Sequence, residues 1–121
     1  MVILMPVLGG RLSPLLDVAE RFLLVQATAG REVSRRELSL EPADLVGRAR
    51  DLAGLGAELV ICGAVSWPLE ELLGLLGVGV VPNTCGPAEE VLAAFLRGEL
   101  AERFLLPGCT ERAHAAASYR G

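Results

Sequence analysis

From Pro42 onward the chain alternates between two kinds of periodicity, and that alternation limits the folds it can adopt. Leu45, Ala49, Leu52 and Ala53 fall on one face of a helix, which Pro42 precedes and Gly54 and Gly56 close. A short apolar run follows at 58–62. Ser66 can cap the next helix, Pro68 suits its first turn, Glu70 and Glu71 complement its dipole, and Gly77 stops it. A second apolar run at 78–81 leads to a last helix that starts near Pro87, places Glu89 and Glu90 in its first turn, buries Val91, Leu92, Phe95 and Leu96, and ends at Gly98. Strands joined through helices must be parallel, because a crossover returns the chain to the same end of the sheet.

The first half reads differently. Residues 2–8 are an apolar run ending at Gly9-Gly10, followed by a loop over 9–17 that carries a Ser13-Pro14 turn. Residues 21–27 read as a second strand and 31–40 as a half-exposed third, with Gly30 at the turn between them. The predicted order is β-β-β-α-β-α-β-α: an α/β fold with a mixed five-stranded sheet and flanking helices. One domain over 1–106 and a tail over 107–121 account for the 121 residues, and 52% apolar content suffices for a buried core.

Composition removes several functions. A net charge of −4 and five aromatic residues give neither the basic footprint nor the stacking rings of a nucleic-acid surface, and an anionic membrane surface is disfavoured likewise. All eleven basic residues are arginine, which excludes a Schiff-base lysine and the lysine of a phosphate-binding Walker loop. The single histidine, His114, lies in the tail, so a Ser-His-Asp or Cys-His mechanism requires that tail to fold back. The three aspartates, Asp17, Asp44 and Asp51, occupy a loop and one helix and cannot form a two-metal nuclease centre. No stretch reaches the length of a membrane span, and the apolar start lacks the basic flank of a signal peptide. The cysteines therefore read as thiols or ligands in a reducing cytoplasm.

Two apolar runs lead into Cys-Gly: Leu59-Val60-Ile61-Cys62-Gly63, and 78–81 with Cys85-Gly86 just beyond. Parallel neighbouring strands would place both on the carboxyl edge of the sheet, where open α/β folds bind ligands. Cys62 has two readings, a core thiol at a strand end or a soft-metal ligand. Cys85 sits in the turn-rich Pro82-Asn83-Thr84-Cys85-Gly86-Pro87, before a helix whose dipole lowers the pKa of a nearby thiol. The 23-residue separation lacks the Cys-x-x-Cys knuckles of zinc or ferredoxin sites. Cys109, five residues before His114, supplies a third candidate metal ligand if the tail covers the edge. Gly63 and Gly86 admit close backbone approach to a ligand, or serve only the turns. Trp67 is expected to anchor packing, and Arg35-Arg36, Arg48 and Arg50 are expected on solvated faces.

Several strings resemble the dinitrogenase iron-molybdenum cofactor family, the small domains like NifX and the carboxyl-terminal part of NifB. They are Val2-Ile3-Leu4-Met5-Pro6-Val7, Gly10-Arg11-Leu12-Ser13-Pro14, Ala19-Glu20-Arg21-Phe22-Leu23-Leu24-Val25, Leu55-Gly56-Ala57-Glu58-Leu59-Val60-Ile61-Cys62-Gly63, Gly86-Pro87-Ala88-Glu89-Glu90-Val91 and Phe95-Leu96-Arg97-Gly98-Glu99-Leu100. The resemblance covers about residues 1–100. It implies a ribonuclease-H-like architecture and a non-catalytic role in binding, carrying or assembling an iron-molybdenum or other metal-sulfur cofactor. Cys62, Cys85 and Cys109 are then the candidate ligands, Ser13, Gly63 and Gly86 the cofactor-contacting positions, and a cluster donor or acceptor protein the partner. Where the family loop usually reads Ser-Pro-His-Phe-Gly, this chain has Ser13-Pro14-Leu15-Leu16-Asp17, and Leu15 cannot ligate a metal. Two further readings stand beside this one: a thiol redox or sensor domain using Cys62 and Cys85, and a protein-interaction module that has lost its cofactor.

Overall fold

The computed structural model describes residues 1–99. Six strands and three helices follow in the order β1 (Val2–Leu8), β2 (Arg11–Leu12), β3 (Arg21–Thr28), β4 (Arg31–Ser39), α1 (Leu45–Gly54), β5 (Leu59–Ile61), α2 (Trp67–Leu75), β6 (Gly79–Val81) and α3 (Ala88–Leu96), with a 3-10 turn at Leu16–Val18. The sheet runs β4-β3-β1-β5-β6, and β2 pairs with β1 outside this path. β1, β5 and β6 are parallel, while β3 is antiparallel to both β1 and β4. The expected mixed α/β sheet is present, with one strand more than the five expected.

The extra strand comes from the segment read as a loop. Gly9 and Gly10 have φ of 59° and 79°, two consecutive left-handed residues that give a tight hairpin turn, and Leu8 then faces Arg11. Two residues of pairing carry no periodicity, so only the turn geometry reveals β2.

β1 is central and contains a proline, an arrangement that needs an accommodating neighbour. Pairing with β5 covers only Ile3↔Leu59 and Leu4↔Val60 and stops before Pro6. The Pro6 carbonyl accepts the Ser13 N–H at 2.8 Å. A residue's N–H and C=O share one side of a strand, so the missing N–H falls beyond the reach of β5 and leaves no broken ladder bond.

Alternation along the strands divides the core into two layers. Ile3, Met5, Leu23, Val25, Leu59, Ile61 and Val81 face α3 and meet its Val91, Leu92 and Phe95. Leu4, Phe22, Val60, Cys62 and Val80 face the other way, onto Ala49 and Leu52 of α1 and Leu69 and Leu73 of α2. The helices start where side chains can cap them: Asp44 accepts from the Gly47 N–H at 2.7 Å and Ser66 from the Leu69 N–H at 3.4 Å.

Three expectations need correction. Arg48 is only 2% exposed and not on a solvated face, because it and Leu52 lie one turn apart on the side of α1 that meets the sheet. Its guanidinium carbon lies 5.7 Å from the centroid of the Phe22 ring, and Nε and Nη1 are buried without an acceptor. Leu45, expected inside, is 38% exposed instead. Trp67 is 72% exposed and anchors nothing in the core, because Leu69 and Leu73 define the buried face of α2 and two residues before Leu69 is nearly opposite.

β4 is exposed along almost its whole length, with Leu38 half-buried. Between Gln26↔Ser34 and Ala27↔Glu32 the register shifts, leaving Val33 as a bulge. The bulge breaks the alternation and brings Glu32 and Arg35 to one face. There Arg35 donates to both Glu32 and Glu89 of α3, tying the edge strand to the helix.

Because a buried guanidinium whose Nε and Nη1 have no acceptor loses hydration that an apolar replacement does not need, Arg48→Met is expected to raise stability to urea by about 1–4 kcal/mol. A fall in the urea midpoint would show that the contact with Phe22 outweighs desolvation. Hydrogen bonds from Arg35 hold the Glu32 and Glu89 carboxyls below the ordinary 4.5, against a smaller upward push from burial. A carboxylate with a depressed pKa stabilises the fold above its unfolded value and stops doing so as the pH falls through the folded one. Glu89→Gln should therefore flatten the loss of stability below about pH 4.5, an effect under about 1 kcal/mol for so exposed a pair, read from denaturation midpoints against pH.

Candidate functional site

Three loops leave the carboxyl ends of the parallel strands or the adjoining β2, and their backbones bond to one another. The Leu12 N–H donates to Gly86 O at 3.0 Å, and the Ala88 N–H to Gly10 O at 2.9 Å. The Ala64 N–H donates to Pro14 O and the Leu16 N–H to Ala64 O, both at 2.9 Å. The Asn83 N–H donates to Gly63 O at 2.7 Å and the Thr84 N–H to Cys62 O at 2.9 Å. The Ser13-Pro14, Cys62-Gly63 and Cys85-Gly86 segments thus form one interlocked edge. A side-chain bond adds to it, from the Ser66 N–H to Asp17 Oδ1 at 2.8 Å.

Within this edge the two glycines serve backbone geometry. A Cβ on Gly63 would lie 2.8 Å from Ser13 O and 2.9 Å from Pro14 O, so the close neighbour is the Ser-Pro loop. Gly86 has φ of 128°, a conformation that side chains disfavour, directly before α3. Asn83, at φ 59°, takes the left-handed conformation that asparagine tolerates best among residues with side chains. Ser13 is buried between β2 and the Gly63 turn.

The two described cysteines have opposite surroundings. Cys62 continues the alternation of β5 and falls with Val60 on the layer facing α1 and α2, where it is fully buried. Cys85 lies beyond β6, in a loop whose direction is set by Asn83 and Gly86, and it is an exposed thiol. Thr84, next to Cys85 in the chain and bonded through its N–H to Cys62 O, is buried, and its hydroxyl donates to Pro82 O at 3.3 Å. Cys109 and His114 lie outside the described residues. Among the described residues, no group of three or more His, Cys, Asp or Glu side chains comes together to hold a metal ion.

Around the same edge several apolar side chains are open to solvent. Leu8, Leu15, Val18 and Trp67 are 65%, 36%, 68% and 72% exposed. Leu8, Leu15 and Val18 line a shallow hollow of about 340 Å³ whose rim carries Glu20 and Arg21. Sequence periodicity could not find this hollow, because its residues come from a strand end, a loop and a 3-10 turn. No helix of the described residues is long and apolar enough to cross a membrane.

Gly63→Ala should destabilise the protein by about 1–3 kcal/mol, the usual cost of forcing extra volume into packed structure, measured by urea denaturation. An unchanged midpoint would mean that the Ser13-Pro14 loop gives way freely.

No family model matches the chain, and neither does any curated protein. Solved structures do. The crystal structure of PH0822 superposes with a TM-score of 0.81 at 16% identity, covering 92% of this chain and 98% of that one. A crystal structure of MJ0327 from Methanocaldococcus jannaschii, described as a "putative dinitrogenase", gives a TM-score of 0.68 at 12% identity over 82% of this chain and 90% of its own. An NMR structure of MJ0327 gives 0.66 at 12% identity, covering 89% and 93%. The chain shares the fold of these proteins over nearly their whole length.

Proposed function

We propose that this chain is a distant relative of the dinitrogenase cofactor domains and acts as a non-catalytic carrier of a metal-sulfur cofactor, received from and passed to a partner protein at the interlocked loop edge. The observation that carries this reading is the convergence of the Ser13-Pro14, Cys62-Gly63 and Cys85-Gly86 segments on one edge with the Cys85 thiol exposed there. The fold shared with MJ0327, itself described as a "putative dinitrogenase", supports it.

The donor set suits transient holding. A closed structural site needs four protein ligands, and a thiolate at Cys85 offers one, leaving the other positions of a cluster to its own sulfides and to the partner. Such a cargo can leave, as a carrier requires. Cys62 contributes from below: its carbonyl accepts the Thr84 N–H, and its backbone N–H donates to Val81 O at 3.0 Å, so it fixes the loop that presents Cys85. Glu89 and Glu90 at the start of α3 oppose an anionic cluster, and the Arg35 bonds to Glu89 offset part of that charge.

Anaerobic incubation with iron, sulfide and molybdate should give bound metal and visible absorption, with Cys85→Ala losing most of both. Cys62→Ser, checked for folding by its thermal midpoint, should retain them. A colourless, metal-free protein would overturn the carrier reading, and full loading of Cys85→Ala would remove Cys85 from it. The sensor reading makes a different demand, a disulfide between the fully buried Cys62 and the exposed Cys85, and an unchanged count of free thiols after mild oxidation would remove it.

A further inference from the structure

Away from the loop edge, at the amino end of β1, lies a second hollow of about 600 Å³ between the β3–β4 turn and the last turn of α3. Ile3, Ala27, Ala29, Phe95 and Leu96 line it with apolar surface, and Arg97 stands beside them. The turn is a two-residue hairpin in which Thr28 faces Arg31, with Ala29 and Gly30 at φ of 53° and 76°. Such turns favour Asn-Gly or Asp-Gly, because alanine is strained in the left-handed conformation that asparagine, aspartate and glycine tolerate. The alanine therefore weakens its own turn. What it supplies is a methyl group on the wall of the hollow, exposed among the described residues.

The described chain ends beside this hollow. Gly98, at φ 77°, closes α3: its N–H donates to Phe95 O at 2.9 Å and the Glu99 N–H to Ala94 O at 2.8 Å, a pair of bonds that turns the chain sharply. Glu99 then accepts from Arg97 Nε at 3.0 Å, which keeps it near the rim. The sequence continues Leu100-Ala101-Glu102-Arg103-Phe104-Leu105-Leu106-Pro107.

We propose that Phe104, Leu105 and Leu106 of the same chain pack into this hollow and cover the amino end of β1. The reach is sufficient, because Gly98 already lines the hollow and the residues from Glu99 to Phe104 extend up to about 17 Å. The chemistry is matched: three consecutive large apolar side chains gain by leaving water, and the surface nearest to them along the chain is apolar. The volume is matched as well, since a cavity of roughly 150 Å³ already holds a benzene ring and this one admits a phenyl ring with two leucines. The strained Ala29 then has a purpose, a methyl wall against which the segment packs. One consequence bears on the thiols. Cys109 follows Leu106 by three residues, a reach of about 11 Å, whereas β1 alone carries the chain about 20 Å from the hollow toward the loop edge. The packing holds Cys109 away from Cys85. It does not depend on cofactor binding, so its failure leaves the carrier reading untouched.

Urea denaturation of the full chain tests it through the sign of one substitution. Aspartate suits position 29 of this turn better than alanine, so Ala29→Asp raises the midpoint if the methyl meets only water. With the segment in place it presses a carboxylate against Phe104 and lowers the midpoint instead. The expected result is a midpoint lowered by Ala29→Asp in the otherwise unchanged chain and raised by it in a Phe104→Ser chain, which itself unfolds at lower urea. Nuclear Overhauser contacts between the Ala29 methyl and the Phe104 ring, recorded on the unsubstituted protein, are expected too and require no variant to fold. A mixture of isotope-labelled and unlabelled protein assigns them to one chain. A midpoint that Ala29→Asp raises in both backgrounds, or lowers in both, overturns the proposal. So do contacts from Phe104 to Leu15 or Val18 at the loop edge, contacts that arise only between two copies, or a Phe104 ring that contacts none of the residues lining the hollow.

Discussion

The double pairing of β1 is the constraint on which the rest of the structure depends. On one side it bonds antiparallel to β3 through five consecutive pairs, from Val2↔Gln26 to Pro6↔Phe22. On the other it bonds parallel to β5 for only two, Ile3↔Leu59 and Leu4↔Val60. The strand is apolar on both faces, so its register decides which residues of every neighbour meet α3 and which meet α1 and α2. Its early release from β5 at Pro6 opens the space into which β2 and the Ser13-Pro14 loop fold. A β1 paired to its full length on both sides would leave no room for the loop edge.

That edge is held by main-chain bonds and so tolerates variety in its side chains. Leu12 to Gly86, Ala64 to Pro14, Leu16 to Ala64 and Asn83 to Gly63 are all backbone contacts. Gly63 is the exception, since two carbonyl oxygens occupy the place its side chain would take. A scaffold of this kind can present a leucine at position 15 where the resembled family loop usually carries histidine, without disturbing the fold. At this position the chain shows solvent a partly exposed leucine, an apolar surface that cannot ligate a metal.

Much of the fold was legible in the sequence because local rules and tertiary packing agree there. Ser66, Pro68 and Gly77 mark the ends of α2, and the helix begins and stops where they indicate. The parallel arrangement of β1, β5 and β6 follows from crossovers that leave no other choice. The failures occur where a position lies on the border of a pattern. Leu45 and Arg48 flank the same apolar stripe of α1, and periodicity alone favours burying the leucine. The Phe22 ring, brought beneath the helix by β3, receives Arg48 instead. Likewise the bulge at Val33 inverts the alternation of β4 and creates the Arg35 bonds to Glu32 and Glu89, which no regular strand pattern contains.

The sequence by itself determined the class of fold, the order of the elements other than β2 and the presence of two Cys-Gly segments near strand ends, since these depend on periodicity, capping and turn residues that act over a few positions. Only the tertiary structure decided that the two thiols differ. Cys62 inherits its burial from the alternation of β5 against helices tens of residues away in the chain, whereas Cys85 lies past the last ladder pair, in a loop turned outward by Asn83 and Gly86. The hollow lined by Leu8, Leu15 and Val18 belongs to the same level, because its walls come from a strand end, a loop and a 3-10 turn that tertiary folding brings together.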